Sequence, residues 1–489
     1  MPLLNAVNDQ NPRQIAWEVL QQRHAGGRFT EDLLERAFAK RRISAVDRAL
    51  CQELVYGVVR WQTALDWLIS RKTDQREQNP GLQNLLRLGL YQIFWLDRIP
   101  DHAAVHATVE LAKCNGFGSN AGFMNAVLRG YLREQDEATK LLADLKISRP
   151  ALGWSHPEWL VARWQQRWGQ EKAARLLAWN NTPPKTFARV NALKLRSSRG
   201  NEAQTSKFEF GQSLRTSAAT TRLKNAGELL AQWREENVDY DFVRRDWLEE
   251  NLVFELKSHP PLASLDSFRQ GWFYVQDPGT LLAPGELNPR PGETILDFCA
   301  APGGKTTFLA QLMNNQGRIV AQDVSEDRLR LIRENCARLG ATCVEFCSSR
   351  GNATPISRSA SRPPPSESGQ SLLTSAATDG QFDRILVDAP CSNTGVMRRR
   401  VDLRWRIQPE EILRLQQTQL GLLEQAAPKL KPGGVLVYST CSLEPEENQE
   451  VVKQFLLGHN NFKLESEREL LPFADGVDGA FVAALVKAR

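Results

Sequence analysis

The chain has 489 residues, enough for roughly three domains at ~150 residues each, and a composition (42% hydrophobic, 24% charged) that excludes a wholly disordered class. Its 62 basic and 57 acidic residues leave a net charge of only +5, so bulk electrostatics permits a nucleic-acid partner without arguing for one. Eight cysteines with no Cys-x-x-Cys pair, and six histidines, give little support to a zinc site or a disulfide framework, and fit reduced thiols. No run of about 18 apolar residues occurs, and MPLLNAVNDQNPRQ has no apolar signal core. The expectation is a cytoplasmic protein, monomeric, with no membrane span and no metal.

From about Asn11 to Glu137 the periodicity is helical almost throughout, which predicts an all-α domain over 1–140. Ser44 and Asp47 resemble a capping box, and Leu50, Leu54 and Val58 then recur at one-turn spacing. Met124, Val127, Leu128 and Tyr131 form a second core stripe. Breaks such as Asn79–Pro80–Gly81 and Ile99–Pro100–Asp101 divide the segment into helices of ordinary length. Arg41, Arg42, Arg60, Arg71 and Lys72 are read either as a solvated face or, alternatively, as contacts to RNA phosphates.

Residues 148–277 read as a mixed α+β linking subdomain. Trp154, Trp159, Trp164 and Trp168 suit a packed helix better than a base-stacking platform, and Arg189–Val190–Asn191 suits a short strand. Polar, low-complexity stretches near 197–222 and 348–380 read as surface inserts, tolerable because loop-closure entropy grows slowly with length. From Gly271 onward short apolar strands alternate with helices. Thr294–Phe298, Arg318–Gln322, Cys343–Phe346, Arg384–Asp388 and Val435–Tyr438 are expected strands; Thr306–Met313, Glu326–Leu339 and Pro409–Leu430 are expected helices. Such alternation predicts an α/β Rossmann-like domain over 278–489, a mostly parallel sheet with helices on both faces. Ligands in such sheets bind at the carboxyl ends of the strands.

The run Ile295–Thr307 (ILDFCAAPGGKTT) places a strand end before Pro302, Gly303 and Gly304, with a helix opening at Lys305. Free N–H groups and the positive end of that helix suit an anionic cofactor group. A phosphate-binding P-loop would need a glycine where Cys299 stands, and a dinucleotide fingerprint would need three spaced glycines, so both nucleotide readings weaken. A pocket for S-adenosylmethionine remains, against the plainer alternative of a tight turn without a ligand. Asp323 ends the next strand, placed either to accept hydrogen bonds from ribose hydroxyls or to cap the following helix. Asp388–Ala389–Pro390–Cys391 and Ser439–Thr440–Cys441–Ser442 end two later strands. Each cysteine alone could be a small buried hydrophobe. Two at marked strand ends suggest a thiol beside a methyl donor. Carbon 5 of cytosine is a poor nucleophile until a thiolate adds to carbon 6, whereas amino-group methylation needs no thiol. The thiol, with an ordinary pKa of about 8.5, needs positive charge or a helix terminus to ionise at neutral pH.

LDFCAAPGGKTT (296–307), DVSEDRL (323–329), DRILVDAPCSNTGVMRR (383–399) and KPGGVLVYSTCSLEPEENQEVV (431–452) resemble the RNA cytosine-5 methyltransferases of the NOL/NOP/Sun type. ELVYGVVRWQTALDWLI (53–69), LGLYQIFWLDRIPDHAAVHATVELAK (88–113) and MNAVLRGYLRE (124–134) resemble the NusB-like domain of its Sun/Fmu branch. The resemblance spans nearly the whole chain apart from the two inserts. It implies a small-subunit ribosomal RNA substrate, with transfer RNA as the nearest rival. A non-catalytic RNA-binding or antitermination-type protein is the rival of another class, and the paired cysteines argue against it. The resemblance further implies that Cys299, Ala300, Ala301, Pro302, Gly303, Gly304 and Lys305 line the S-adenosylmethionine site, with Asp323 on its ribose and Arg328 beside it. It implies Asp388 by the methionine part and the target base, Cys441 as nucleophile, and Cys391 as the group assisting product release.

The family usually carries an acid near the adenine after the third strand; here that run is Phe346–Cys347–Ser348–Ser349–Arg350–Gly351. Weakened cofactor binding is therefore expected. Arg398, Arg399, Arg400, Arg404 and Arg406 follow the Pro-Cys element and are expected to form a basic rim for backbone phosphates.

Overall fold

The computed structural model describes residues 10–197, 226–348 and 381–489; the two polar inserts lie almost wholly outside them. The chain divides into two compact units, 1–183 with 397–407, and 184–396 with 408–489.

The first unit is helical, with helices Pro12–His24, Thr30–Ala39, Ala45–Arg60, Gln62–Lys72, Pro80–Trp95, Asp101–Cys114, Ala121–Arg133 and Gln135–Ser148. Ser44 caps its helix as expected, its hydroxyl accepting from the Asp47 N–H at 3.1 Å. Leu54, Val58, Met124, Val127, Leu128 and Tyr131 are buried in one core, as the two stripes predict. Trp159, Trp164 and Trp168 of the tryptophan-rich segment lie on the helix Glu158–Asn180, broken at Gly169, with Trp164 buried, while Trp154 precedes that helix and stacks on Trp61. Arg60 corrects one expectation: it is buried, so it belongs to no phosphate-binding face. Arg41 is paired with Glu18, and Lys72 with Glu134.

The second unit holds two sheets. In the smaller, β1 (Thr186–Val190), β2 (Asp239–Phe242), β3 (Val253–Ser258) and β4 (Phe273–Val275) are antiparallel in the order β2-β3-β1-β4. Trp233 from helix 226–235 seals one face, edge-on to Phe254 and Phe273. The larger sheet comprises β5 (Thr294–Asp297), β6 (Arg318–Asp323), β7 (Val344–Ser348), β8 (Phe382–Asp388), β9 (Leu430–Thr440), β10 (Phe462–Leu470) and β11 (Ala480–Lys487). Its order is β10-β11-β9-β8-β5-β6-β7, parallel from β9 through β7, with β11 and β10 antiparallel at one edge. The all-helical unit and this doubly covered, mostly parallel sheet agree with the expected fold class. Two details differ. The helix from Pro409 ends at Ala426 because Leu430 opens β9, and β10 and β11 join the sheet beyond the five expected strands.

Strand order explains why distant motifs meet. β9, β8, β5 and β6 are successive parallel neighbours, so their carboxyl ends bring Thr440, Asp388, Asp297 and Asp323 along one edge of the sheet. Among the described residues, no helix is long and apolar enough to cross a membrane.

Candidate active site

The turn after β5 is shaped by backbone constraints. Gly303 lies at φ 101°, a left-handed conformation that glycine adopts without steric cost, and a Cβ on Gly304 would sit 2.9 Å from the Tyr274 ring. The helix Gly304–Leu312 starts immediately, and its first-turn N–H groups have no intrahelical acceptor by construction. Cys299, Ala300, Ala301 and Pro302 form the bend between strand and helix, with the Ala301 N–H donating to Asp323 Oδ2 at 3.2 Å. From the small sheet, buried Arg189 donates to the Gly304 carbonyl at 2.8 Å and to Thr307 Oγ1 at 3.1 Å.

Two carboxylates flank the turn. Asp323 accepts from the Val324 N–H at 2.8 Å and pairs with Arg328 at 3.2 Å. Arg328, half exposed, also donates to the Ala301 carbonyl of the bend at 3.4 Å, so it bridges the acid and the turn. Asp388 is held on both oxygens, by Lys305 Nζ at 2.6 Å and by Ser439 Oγ at 2.8 Å. Burial works against the Lys305 charge, but Asp388 more than offsets it, and the ammonium pKa lies above its ordinary value. Cys441 contributes to that shift, which places the cation within electrostatic reach of the thiol.

The two cysteines meet. Cys391 Sγ and Cys441 Sγ are 3.2 Å apart, the Cys441 N–H points at Cys391 Sγ at 3.3 Å, and Cys441 Sγ donates to Asn393 Oδ1 at 3.0 Å. Hydrogen bonding to Cys441, together with burial, pushes the Cys391 thiol well above its ordinary pKa. Burial and the nearby carboxylates push Cys299 up to about 12, so that third thiol stays neutral. Close packing closes the pair of loops: the Gly395 N–H donates to the Cys441 carbonyl at 2.9 Å, and a Cβ on Gly395 would lie 2.8 Å from that oxygen.

The motif reading singled out neither Asp297 nor Glu447. Asp297 is fully buried, accepts from Thr306 Oγ1 at 2.7 Å and leaves Oδ1 without a partner; burial raises its pKa to about 7. Glu447 is fully buried and bonds to Ser392, Ser442 and Gln419. Both stand inside quoted motifs, but nothing local in the sequence marks their burial. The arginine rim needs correcting. Arg398 and Arg404 are buried in the helical unit, Arg398 against Trp179, and Arg406 donates to the Arg28 carbonyl. Ser348 ends β7 in register with Asp323, whereas Ser349, Arg350 and Gly351 lie outside the described residues.

Residues 285–486 match the family described as 16S rRNA methyltransferase RsmB/F, residues 10–133 match the NusB family, and residues 156–202 match an RsmF/B-like, ferredoxin-like domain. A probable ribosomal RNA small subunit methyltransferase B of Synechocystis sp. is 36% identical over 97% of this chain and 99% of its own length. Its counterpart in Bacillus subtilis is 34% identical over 97% and 98%. The chain belongs to the RsmB/F methyltransferase family. Membership makes it an rRNA methyltransferase, a class whose methyl donor is S-adenosylmethionine. Among solved structures, a methyltransferase homolog from Pyrococcus horikoshii is 30% identical, covers 69% of this chain and 97% of its own, and superposes with a TM-score of 0.51. The structure of PH0851, 23% identical, shares the fold over 97% of this chain and 99% of its own at a TM-score of 0.69.

Proposed function

We propose that this RsmB/F member methylates carbon 5 of a cytosine in 16S rRNA through a covalent bond between Cys441 and carbon 6 of the base. The observation that carries this reading is the 3.2 Å approach of two thiols from different strand ends, beside the Lys305–Asp388 pair. Methylation of an amino group has no use for such a pair.

The residues present fit S-adenosylmethionine. The opening turn of the helix Gly304–Leu312 suits its carboxylate, Asp323 its ribose, and Asp297 offers an unpartnered buried oxygen at the end of β5. Bound there, the cofactor supplies an electrophilic sulfonium methyl. Cys299 to Lys305 would shape its site, Arg328 would steady Asp323, and Asp388 would stand by the methionine part and the target base. The Cys441 thiolate adds to carbon 6, which makes carbon 5 an enamine carbon able to attack the methyl. A base then takes the carbon-5 proton as the carbon-6–sulfur bond breaks with its electron pair leaving on Cys441, which restores the aromatic ring. Cys391, whose sulfur lies 3.2 Å from that of Cys441, assists release. The target base must leave its stack to reach these groups. Residues 1–140 choose the RNA, 148–277 link, and 278–489 carry the chemistry, in a cytoplasmic monomer.

One contact favours the exchanged roles: the Cys441 N–H aimed at Cys391 Sγ would stabilise a thiolate on Cys391 instead. Trapping decides between them. Incubated with labelled donor and small-subunit rRNA, Cys391→Ala should accumulate a covalent RNA adduct, and Cys441→Ala should yield neither adduct nor product. The reverse pattern would reassign the nucleophile, and label appearing in transfer RNA alone would replace the substrate. The missing acid after β7 leads us to propose weakened donor binding. Calorimetry should show tighter binding by Ser349→Asp, and an unchanged affinity would remove this proposal.

A further inference from the structure

Glu447 closes the short turn Pro445–Glu447 that follows the Thr-Cys-Ser element, and no part of it reaches solvent. Its Oε1 accepts from the Ser392 N–H at 2.8 Å and from Gln419 Nε2 at 3.0 Å. Its Oε2 accepts from the hydroxyls of both Ser392 and Ser442, which are themselves 3.0 Å apart, and the Tyr438 phenol donates to its carbonyl at 2.6 Å. Each of the two serines directly follows a cysteine, Ser392 after Cys391 and Ser442 after Cys441. One carboxylate thus ties together the two loops that carry the thiols. A buried carboxylate is costly unless its oxygens are bonded, and these are. Glu447 touches neither sulfur and is sealed from solvent, so it bears on the reaction through the loops and through its charge, which helps raise the Cys391 pKa.

The tie is unequal. On the Cys441 side, the Ser442 N–H also donates to Thr440 Oγ1 at 3.2 Å, and Asn448 Nδ2 donates to the Ser442 carbonyl at 2.9 Å. On the Cys391 side, both the N–H and the hydroxyl of Ser392 go to Glu447. Asn393 Nδ2 also donates to the Cys391 carbonyl at 2.6 Å and Gln419 Nε2 to the Pro390 carbonyl at 3.0 Å, so loosening the carboxylate loses the hold on Ser392 itself, the residue next to Cys391, rather than the whole loop.

We propose that Glu447 is a positioning residue that holds Cys391 at the distance from Cys441 needed for product release, acting through Ser392. This rests on the covalent reading given above, and the two are separable. Full-length Ser392→Ala, Glu447→Gln and Glu447→Ala are compared with Cys391→Ala and Cys441→Ala, on an rRNA transcript with labelled S-adenosylmethionine, following adduct formation and its decay separately. Ser392→Ala removes the hydroxyl tether and leaves the Ser392 N–H and Ser442 bonds to Glu447, so adduct should form at near wild-type rate and decay several-fold more slowly, as small misplacements of reacting groups do. Glu447→Ala should show the same split, and Glu447→Gln, of equal shape and still able to bond both serines, should restore decay. If Cys391→Ala traps adduct but both Ser392→Ala and Glu447→Ala release it at the wild-type rate, the positioning role is overturned alone. Formation and decay falling in proportion in Ser392→Ala would overturn it too, since that marks general loss of structure. If Cys391→Ala traps no adduct, the division of labour between the cysteines falls and the role of Glu447 falls with it.

Discussion

Asp297 shows how a single residue can couple the turn after β5 to pH. Its folded-state pKa of about 7 stands above its ordinary 3.8 because burial disfavours the charged form, with Thr306 only partly offsetting this. The folded state therefore binds the proton more tightly than the unfolded chain, and stability falls as pH rises from about 4 to about 7. Replacing it with asparagine removes that slope. Thermal unfolding of Asp297→Asn against wild type should show little difference at pH 4 and a gain on the order of a few kcal/mol by pH 8; equal shifts at both pH values would refute it. Such a variant should also lose activity if the unpartnered Oδ1 faces the donor. Lys305 and Asp388 make a second residue-level unit. The strand-end acids and both cysteines were legible because each follows a short apolar run in a recognisable local pattern. Asp297 and Glu447 were not, because their significance lies in burial and in partners such as Ser392, which is 55 residues away from Glu447.

At the scale of elements, two loops depend on glycine for different reasons. Gly303→Ala would force an L side chain into φ 101° with its Cβ 3.1 Å from Ile332, at a cost of about 1–2 kcal/mol. Calorimetric titration should show weaker S-adenosylmethionine binding in that variant along with a lower melting temperature. Gly395 has no such backbone strain, but its Cβ would strike the Cys441 carbonyl and Gly479. Gly395→Ala should therefore separate the thiols and reduce methyl transfer more than donor affinity. In the helical unit Ser44→Ala removes a cap and should lower stability by about 1 kcal/mol, read from denaturant midpoints, with no effect on chemistry. Helices and five strands could be read from periodicity. The edge pair β10 and β11 could not be placed, because its antiparallel pairing to β9 is a choice of neighbour that no local pattern states.

At the scale of the molecule, the stretch after the Pro-Cys element leaves the catalytic unit at Val396, belongs to the helical unit over 397–407, and returns at Gln408. Arg404 is its anchor, donating to the carbonyls of Arg60, Ser155 and Asn180 and to Asn181 Oδ1 at 2.7–3.3 Å. Asp402 accepts from Arg23 at 2.6 Å, and Trp405 Nε1 donates to the Val59 carbonyl at 2.9 Å. Replacing Arg404 by alanine strands several buried acceptors, so Arg404→Ala should destabilise the helical unit by about 3 kcal/mol or more. Limited proteolysis and thermal unfolding of the full chain report this, and a change confined to RNA affinity would restore the phosphate-contact reading. The same arginine-rich run thus has the composition of a phosphate rim and, for Arg398 and Arg404, the position of a core.

The sequence by itself determined the class of fold, the glycine turn, the strand-end acid Asp323 and the two thiols, because each is written in contiguous residues whose spacing sets backbone shape or side-chain chemistry. Tertiary structure alone decided the rest: that strand order sets Cys391 against Cys441 at 3.2 Å, that Glu447 ties their loops, and that Arg398 and Arg404 are buried. Burial and strand neighbours arise from contacts between residues far apart in the chain, and charge or periodicity within a segment carries no record of them.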